Sequence, residues 1–171
     1  MQSATRRFWC VFLLLLACER SAEERGASPS DSTRARVLGA TSTAVPIGQF
    51  AETSYFRMRV HEHGPCLVED YLKPAKGLRR LGVEVTLEAT SAQGVPANPF
   101  YATLETRGGN RFESTLAGCR PVLEAEQLQP GQSTRGWLSF DVPESEVPTQ
   151  LRYEPLVLGA GRQTVLLSLE P

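Results

Sequence analysis

Between Leu81 and Ala89 every second residue is apolar: Leu81, Val83, Val85, Leu87 and Ala89 alternate with Gly82, Glu84, Thr86 and Glu88. Side chains of an extended strand point to opposite faces with a period of two, so this segment predicts a strand with one face in a core and the other toward water. A helix would scatter the same residues around its circumference. Shorter rows repeat the pattern: Phe56, Met58 and Val60 against Arg57, Arg59 and His61; then Phe100, Ala102 and Leu104; Leu138, Phe140 and Val142; Leu151 and Tyr153; and Val165, Leu167 and Leu169. Between them lie turn formers at Ala92 to Pro99, Arg107-Gly108-Gly109-Asn110, Pro130-Gly131, Pro143 to Pro148 and Gly159-Ala160-Gly161, and no stretch after Val37 sustains helical spacing. About seven short strands at such intervals predict an all-β domain over residues 37–171, arranged as a two-sheet sandwich with a core that needs no cofactor.

The N-terminus has a different character. Arg6 and Arg7 precede an unbroken apolar run of ten residues, Phe8 to Ala17, that ends directly at Cys18. That is the layout of a secretory signal over residues 1–17, and the run falls well short of the about 20 apolar residues of a membrane-spanning helix. Leu15-Leu16-Ala17-Cys18 resembles the bacterial lipobox, whose cysteine is lipidated and becomes the mature N-terminus. The resemblance makes Cys18 the lipidation site; acyl chains contribute about 0.8 kcal/mol per buried methylene, so two or more suffice for anchoring. Glu19, rather than Asp, follows the cysteine, which resembles an outer-membrane sorting signal of the enteric type of envelope, so the outer membrane is favoured over the inner. Residues 18–36, rich in Ser, Glu, Arg and small side chains, predict a disordered tether with a reach on the order of 25 Å.

Charge excludes one class of partner. Without residues 1–17 the chain carries 16 basic and 19 acidic residues, a net charge of −3, which offers nothing to attract nucleic acid. Cys10 lies in the signal peptide and Cys18 is assigned to lipid, so Cys66 and Cys119 remain as a pair, expected to form one disulfide in an oxidising compartment. Closing the loop between them stabilises by roughly 4 kcal/mol in the chain-entropy model. Their spacing lacks the Cys-x-x-Cys signature of a redox or metal pair.

The segments PAKGLRRLGVEVTLEATS, NPFYATLETRGGNRF, LQPGQSTRGWLSFDVP and LRYEPL together resemble the telokin-like, immunoglobulin-fold domain of unknown function found in bacterial secreted proteins and lipoproteins. Gly77, Gly109, Pro130, Gly131, Gly136, Phe140, Pro143, Leu151 and Tyr153 carry the resemblance, which spans roughly Pro74 to Leu156. It implies an immunoglobulin-like two-sheet sandwich and an envelope address, and it transfers no catalytic residues.

Chemistry is sparse. In His61-Glu62-His63 two imidazoles at i and i+2 of a strand would share a face and could chelate Zn²⁺ or Cu²⁺. A third ligand would have to come from elsewhere. The register that buries Phe56, Met58 and Val60 places Arg57, Arg59, His61 and His63 together on the solvent face, where positive charge disfavours a cation; neither metal nor another cofactor is expected. With both histidines in one segment no catalytic triad is evident, and Gly131-Gln132-Ser133-Thr134-Arg135 lacks the second glycine of a nucleophile elbow. The acidic pairs Glu69-Asp70, Glu124/Glu126 and Glu144/Glu146 read as solvated charges. Trp137 alternates with Leu138 and Phe140 and is expected at a half-buried position, as a partner contact or a cross-strand packing residue. The expectation is a membrane-anchored envelope lipoprotein, not an enzyme, acting as a binding or interaction module. Its partners would be the membrane, through the N-terminal lipid, and another envelope protein or polymer. The alternative is a small periplasmic transition-metal-binding protein using His61 and His63.

Overall fold

Strands dominate, in chain order β1 (Phe50–Glu52), β2 (Phe56–Pro65), β3 (Leu78–Ala89), β4 (Val95–Ala97), β5 (Ala102–Thr106), β6 (Arg111–Thr115), β7 (Glu126–Leu128), β8 (Ser133–Pro143), β9 (Pro148–Tyr153), β10 (Leu156–Val157), β11 (Gly161–Arg162) and β12 (Val165–Ser168). Two single turns of 3₁₀ helix, Asp70–Leu72 and Pro99–Tyr101, interrupt them. The structure, a computed structural model, describes residues 43–170. Residues 1–36, read from sequence as a signal peptide and a tether beginning at Cys18, lie outside the described residues.

Eight strands hydrogen-bond in one sheet of order β1-β2-β3-β8-β6-β5-β9-β12, each pair antiparallel. The sheet turns at β6. Its first half, Arg111–Glu113, pairs with β5, and its last two residues, Ser114 and Thr115, pair with Phe140 and Ser139 of β8. At the opposite margin Val45 bridges in parallel to Leu167 of β12, and β1 lies against β12, so the sheet curls almost into a barrel. The count of about seven strands is therefore corrected to twelve among the described residues. The extra ones carry no readable alternation: β1, β4, β7, β10 and β11 have two or three residues each, and β6 buries only Ser114.

The core fills the inside of this curl. The β3 row from Leu81 to Ala89 is buried as its alternation predicts, together with Phe56, Met58, Val60, Leu104, Leu138, Phe140, Val142, Leu151, Tyr153 and Leu167. Tyr153 sits at the centre, edge-on to Phe56 and Tyr101 with ring centroids 6.1 Å apart in both cases. Its hydroxyl accepts the Asn98 N–H at 3.0 Å, so the one polar atom of a buried ring is satisfied. Phe100, predicted to head a core row, is instead 56% exposed. Asn98 accepts the Phe100 N–H at 2.9 Å and Pro99 stands at the first helical position, so this Asn-Pro start makes a 3₁₀ turn and the core row begins at Ala102.

A β-bulge interrupts β2. Val60 faces Val85, but Glu62, not His61, faces Glu84, and His63 faces Val83. Directly opposed residues of an antiparallel pair project to the same side, so the extra residue moves everything after it to the other face. This corrects the predicted stripe: Arg57, Arg59 and His61 remain outside, while His63 turns inward.

Candidate interaction surface on the outer face

The water-facing side of β3 and β8 is polar along most of its length, with Arg57 paired to Glu88 and Arg135 paired to Glu84. The Arg135 hydrogen bond holds the Glu84 carboxyl below its ordinary range. At Gly82 and Ser139, which face each other across the two strands, the character changes. Cys66 and Cys119 form the disulfide there, with Cα atoms 4.9 Å apart, inside the usual range. Neither cysteine belongs to the main core cluster. A methyl group on Gly82 would lie 2.8 Å from both Cys66 Sγ and Trp137 Cε3, and closer still to Cys119 Sγ. Only a residue without a Cβ lets the disulfide and the indole rest on the sheet.

Polar groups complete the packing. Ser139 Oγ accepts the Cys119 N–H at 3.2 Å. The Arg80 guanidinium, nearly buried, grips both carboxylate oxygens of Asp141 and donates to the Ala117 carbonyl. Trp137 is half-buried, its indole beside Gly82 and its backbone exchanging hydrogen bonds with Pro121 and Leu123. The result is a small second core outside the sheet, built from the chain following β6 and the base of the β2–β3 loop.

Two loops rise from this base, and an open hollow of about 300 Å³ lies between them, lined by Leu67, Val68, Glu69 and Leu72 on one side and Gly118 and Arg120 on the other. Leu67 is 98% and Tyr71 82% exposed, and Leu116 on the cysteine-bearing second loop is 55% exposed. Among the described residues, Leu67 to Lys76 hydrogen-bond only to one another and to Leu78 at the start of β3. Single exposed apolar residues are ordinary on a protein surface; three on two loops joined by one disulfide form a feature.

The remaining sequence candidates are dispersed. His61 Nε2 lies 2.8 Å from Thr86 Oγ1 on the outer face, whereas His63 Nε2 donates to the Leu169 carbonyl at 2.9 Å on the inner face. Burial, then Arg135 and Arg59, lower the His61 pKa. Two imidazoles on opposite sides of a sheet do not chelate one ion, and among the described residues no cluster of three or more His, Cys, Asp or Glu is placed to hold a metal. Asp70 pairs with Lys73, Glu146 accepts from Asn110, and Ser133 lies exposed at the start of β8. Sequence reasoning missed the hollow. Its one available signal was Gly82, a missing side chain in a row otherwise filled by Glu84, Thr86 and Glu88.

Fold and surface together define a disulfide-tied all-β domain with exposed apolar side chains on the two loops that the disulfide joins. Residues 45–163 match the family model described as domain of unknown function DUF4352, and the chain belongs to that family. No curated protein matches it. Among solved structures, the ycdA protein of Bacillus subtilis, classed provisionally as a lipoprotein, is similar at 17% identity and a TM-score of 0.58; the match covers 70% of this chain and 38% of that one. The yjhA protein of Bacillus subtilis is similar at 17% identity and a TM-score of 0.54, over 74% of this chain and 99% of its own. The secreted protein MPT63 of Mycobacterium tuberculosis is similar at 14% identity and a TM-score of 0.55, over 75% and 99% respectively. At such identities the likeness is one of fold.

Proposed function

We propose that this chain is a lipid-anchored protein of the bacterial cell envelope, favouring the outer membrane, whose β-domain is a non-catalytic binding module for another envelope protein or polymer. The single observation that carries the binding part is the loop pair around the hollow: Leu67 and Tyr71 face solvent on a loop held at its base by a disulfide. Fixed loops on a rigid sheet are where recognition is usually placed, and an exposed Tyr supplies contact area at small entropic cost. The apolar run ending at Cys18 supports the anchor, and similarity in fold to a secreted protein and to a provisional lipoprotein agrees with it. On this reading the curled sheet is a variant of the immunoglobulin-like two-sheet sandwich, with β6 as the strand that passes between layers.

A photo-reactive residue at Tyr71, compared with one at Glu113 on the exposed side of β6, tests the binding part in intact envelopes. Cross-links at 71 that a Leu67→Glu substitution removes, and none at 113, are expected; equal or absent labelling at the two sites refutes it. The anchor is tested by Cys18→Ser, which should leave the product unprocessed or soluble while the parent partitions into detergent. A parent that is wholly soluble with an unmodified N-terminus removes that part.

A further inference from the structure

We infer that the Cys66–Cys119 disulfide is a redox latch on the loop surface, one that a dithiol reductant opens without unfolding the sheet; this rests on reading that surface as the docking site. Three observations carry it. The disulfide lies on the outside of β3 and β8, apart from the main core, so the sheet's packing does not pass through it. Among the described residues it is also the sole cross-link between the hollow's two walls besides the backbone, and no hydrogen bond joins residues 67–76 to residues 116–120. Finally, Cys119 is only half-buried, whereas Cys66 is 9% exposed, so of the two cysteines Cys119 is the one nearer to solvent.

The chemistry balances as ordinary thiol–disulfide exchange. One thiolate of the dithiol attacks Cys119 Sγ, the Cys66–Cys119 bond breaks, and Cys66 leaves as a thiolate that takes up a proton. The second thiol of the reductant then attacks the mixed disulfide and frees Cys119, which is protonated in turn. The protein gains two electrons and two protons, and the reductant departs as its own disulfide. What remains on the sheet is held by the Arg80 and Ser139 contacts on the Cys119 side. On the other side the loop from Leu67 to Lys76 keeps only hydrogen bonds within itself and one to Leu78, and segments so weakly tied occupy the low end of local stability.

Lysine placement supplies a clean assay. Lys73 and Lys76 are the chain's two lysines, and Lys73 precedes a proline, so a lysine-specific endoprotease has one readily cleaved bond, Lys76–Gly77. The oxidised protein, the protein held reduced by dithiothreitol, and a Cys66→Ser/Cys119→Ser variant are compared for cleavage rate and for amide exchange. Reduction and the double substitution should each accelerate cleavage by about tenfold or more, with faster exchange at 66–76 and unchanged protection in β3 and β8. Unchanged cleavage overturns the latch. Loss of protection throughout β2, β3 and β8 overturns it as well, because the bond would then hold the fold itself. If the loop is released but Leu67-dependent cross-linking at Tyr71 is the same before and after reduction, the latch fails and the docking reading stands; absence of cross-linking at Tyr71 in the oxidised protein sinks the docking reading and the proposal with it.

Discussion

Adding one methyl group at Gly82 measures how tightly the disulfide is packed on the sheet. In Gly82→Ala the new Cβ would sit 2.8 Å from Cys66 Sγ and from Trp137 Cε3 and nearer still to Cys119 Sγ, inside any comfortable carbon–sulfur contact. The indole can swing aside. The sulfurs cannot easily do so, since Cys66 is bonded to Cys119 and its N–H donates to the Arg80 carbonyl at 3.0 Å. Overpacking of this kind costs about 1–3 kcal/mol, against which the lost flexibility of the unfolded chain returns about 0.4–1 kcal/mol. The net expectation is a loss of about 1–2 kcal/mol. Replacing Cys66 and Cys119 by Ala removes both sulfurs, and in that background Gly82→Ala should be neutral or slightly stabilising. The four proteins form a double-mutant cycle, read by urea unfolding as shifts in midpoint at constant slope, with an expected coupling of about 1–3 kcal/mol. A coupling below about 0.5 kcal/mol would refute the reasoning, since Gly82 and the disulfide would then be energetically independent.

Two further outcomes follow from charges on the same face. His61 is harder to protonate in the folded protein than in the unfolded chain, so its contribution is fully present above its unfolded pKa of about 6.5 and is lost as pH falls below that value toward the lowered folded one; urea midpoints at pH 7.5 and 5.5 should show a smaller drop for His61→Gln than for the parent, and an identical drop would remove the claim. Arg80 is nearly buried and makes three contacts, whereas Arg57 is more than one-third exposed. Arg80→Met should therefore cost about 2 kcal/mol by leaving Asp141 and the Ala117 carbonyl without their donor, and Arg57→Met less than about 1 kcal/mol; equal losses in thermal or urea unfolding would contradict this.

Much of the sheet was legible because its long strands alternate without interruption. Leu81 to Ala89, Leu138 to Val142 and Leu151 to Tyr153 all bury the residues their period assigns. The same reasoning failed at His63, because a bulge leaves no mark in composition: one extra residue between Val60 and Glu62 reversed the face of everything after it. Phe100 failed for a different cause, a local Asn-Pro turn that outweighs hydrophobic patterning. The cysteine pair was predicted by elimination within an oxidising compartment. Where it would lie was not, since the side of a sheet on which a disulfide rests depends on contacts between residues far apart in sequence, here Gly82 with Cys119 and Ser139 with Cys66. The hollow shares that dependence, and the exposed residues Leu67 and Tyr71 on its first loop look in sequence like ordinary apolar residues awaiting burial.

The curl of the sheet has a colloidal consequence. An open eight-stranded sheet would present two long rows of unpaired backbone groups, each a template for a strand from another molecule. Here the outermost strands are three and four residues long, β1 and β12 lie against each other, and Val45 already donates to and accepts from β12 on its outer side. Molecules held side by side at high local density therefore find little exposed ladder through which to polymerise.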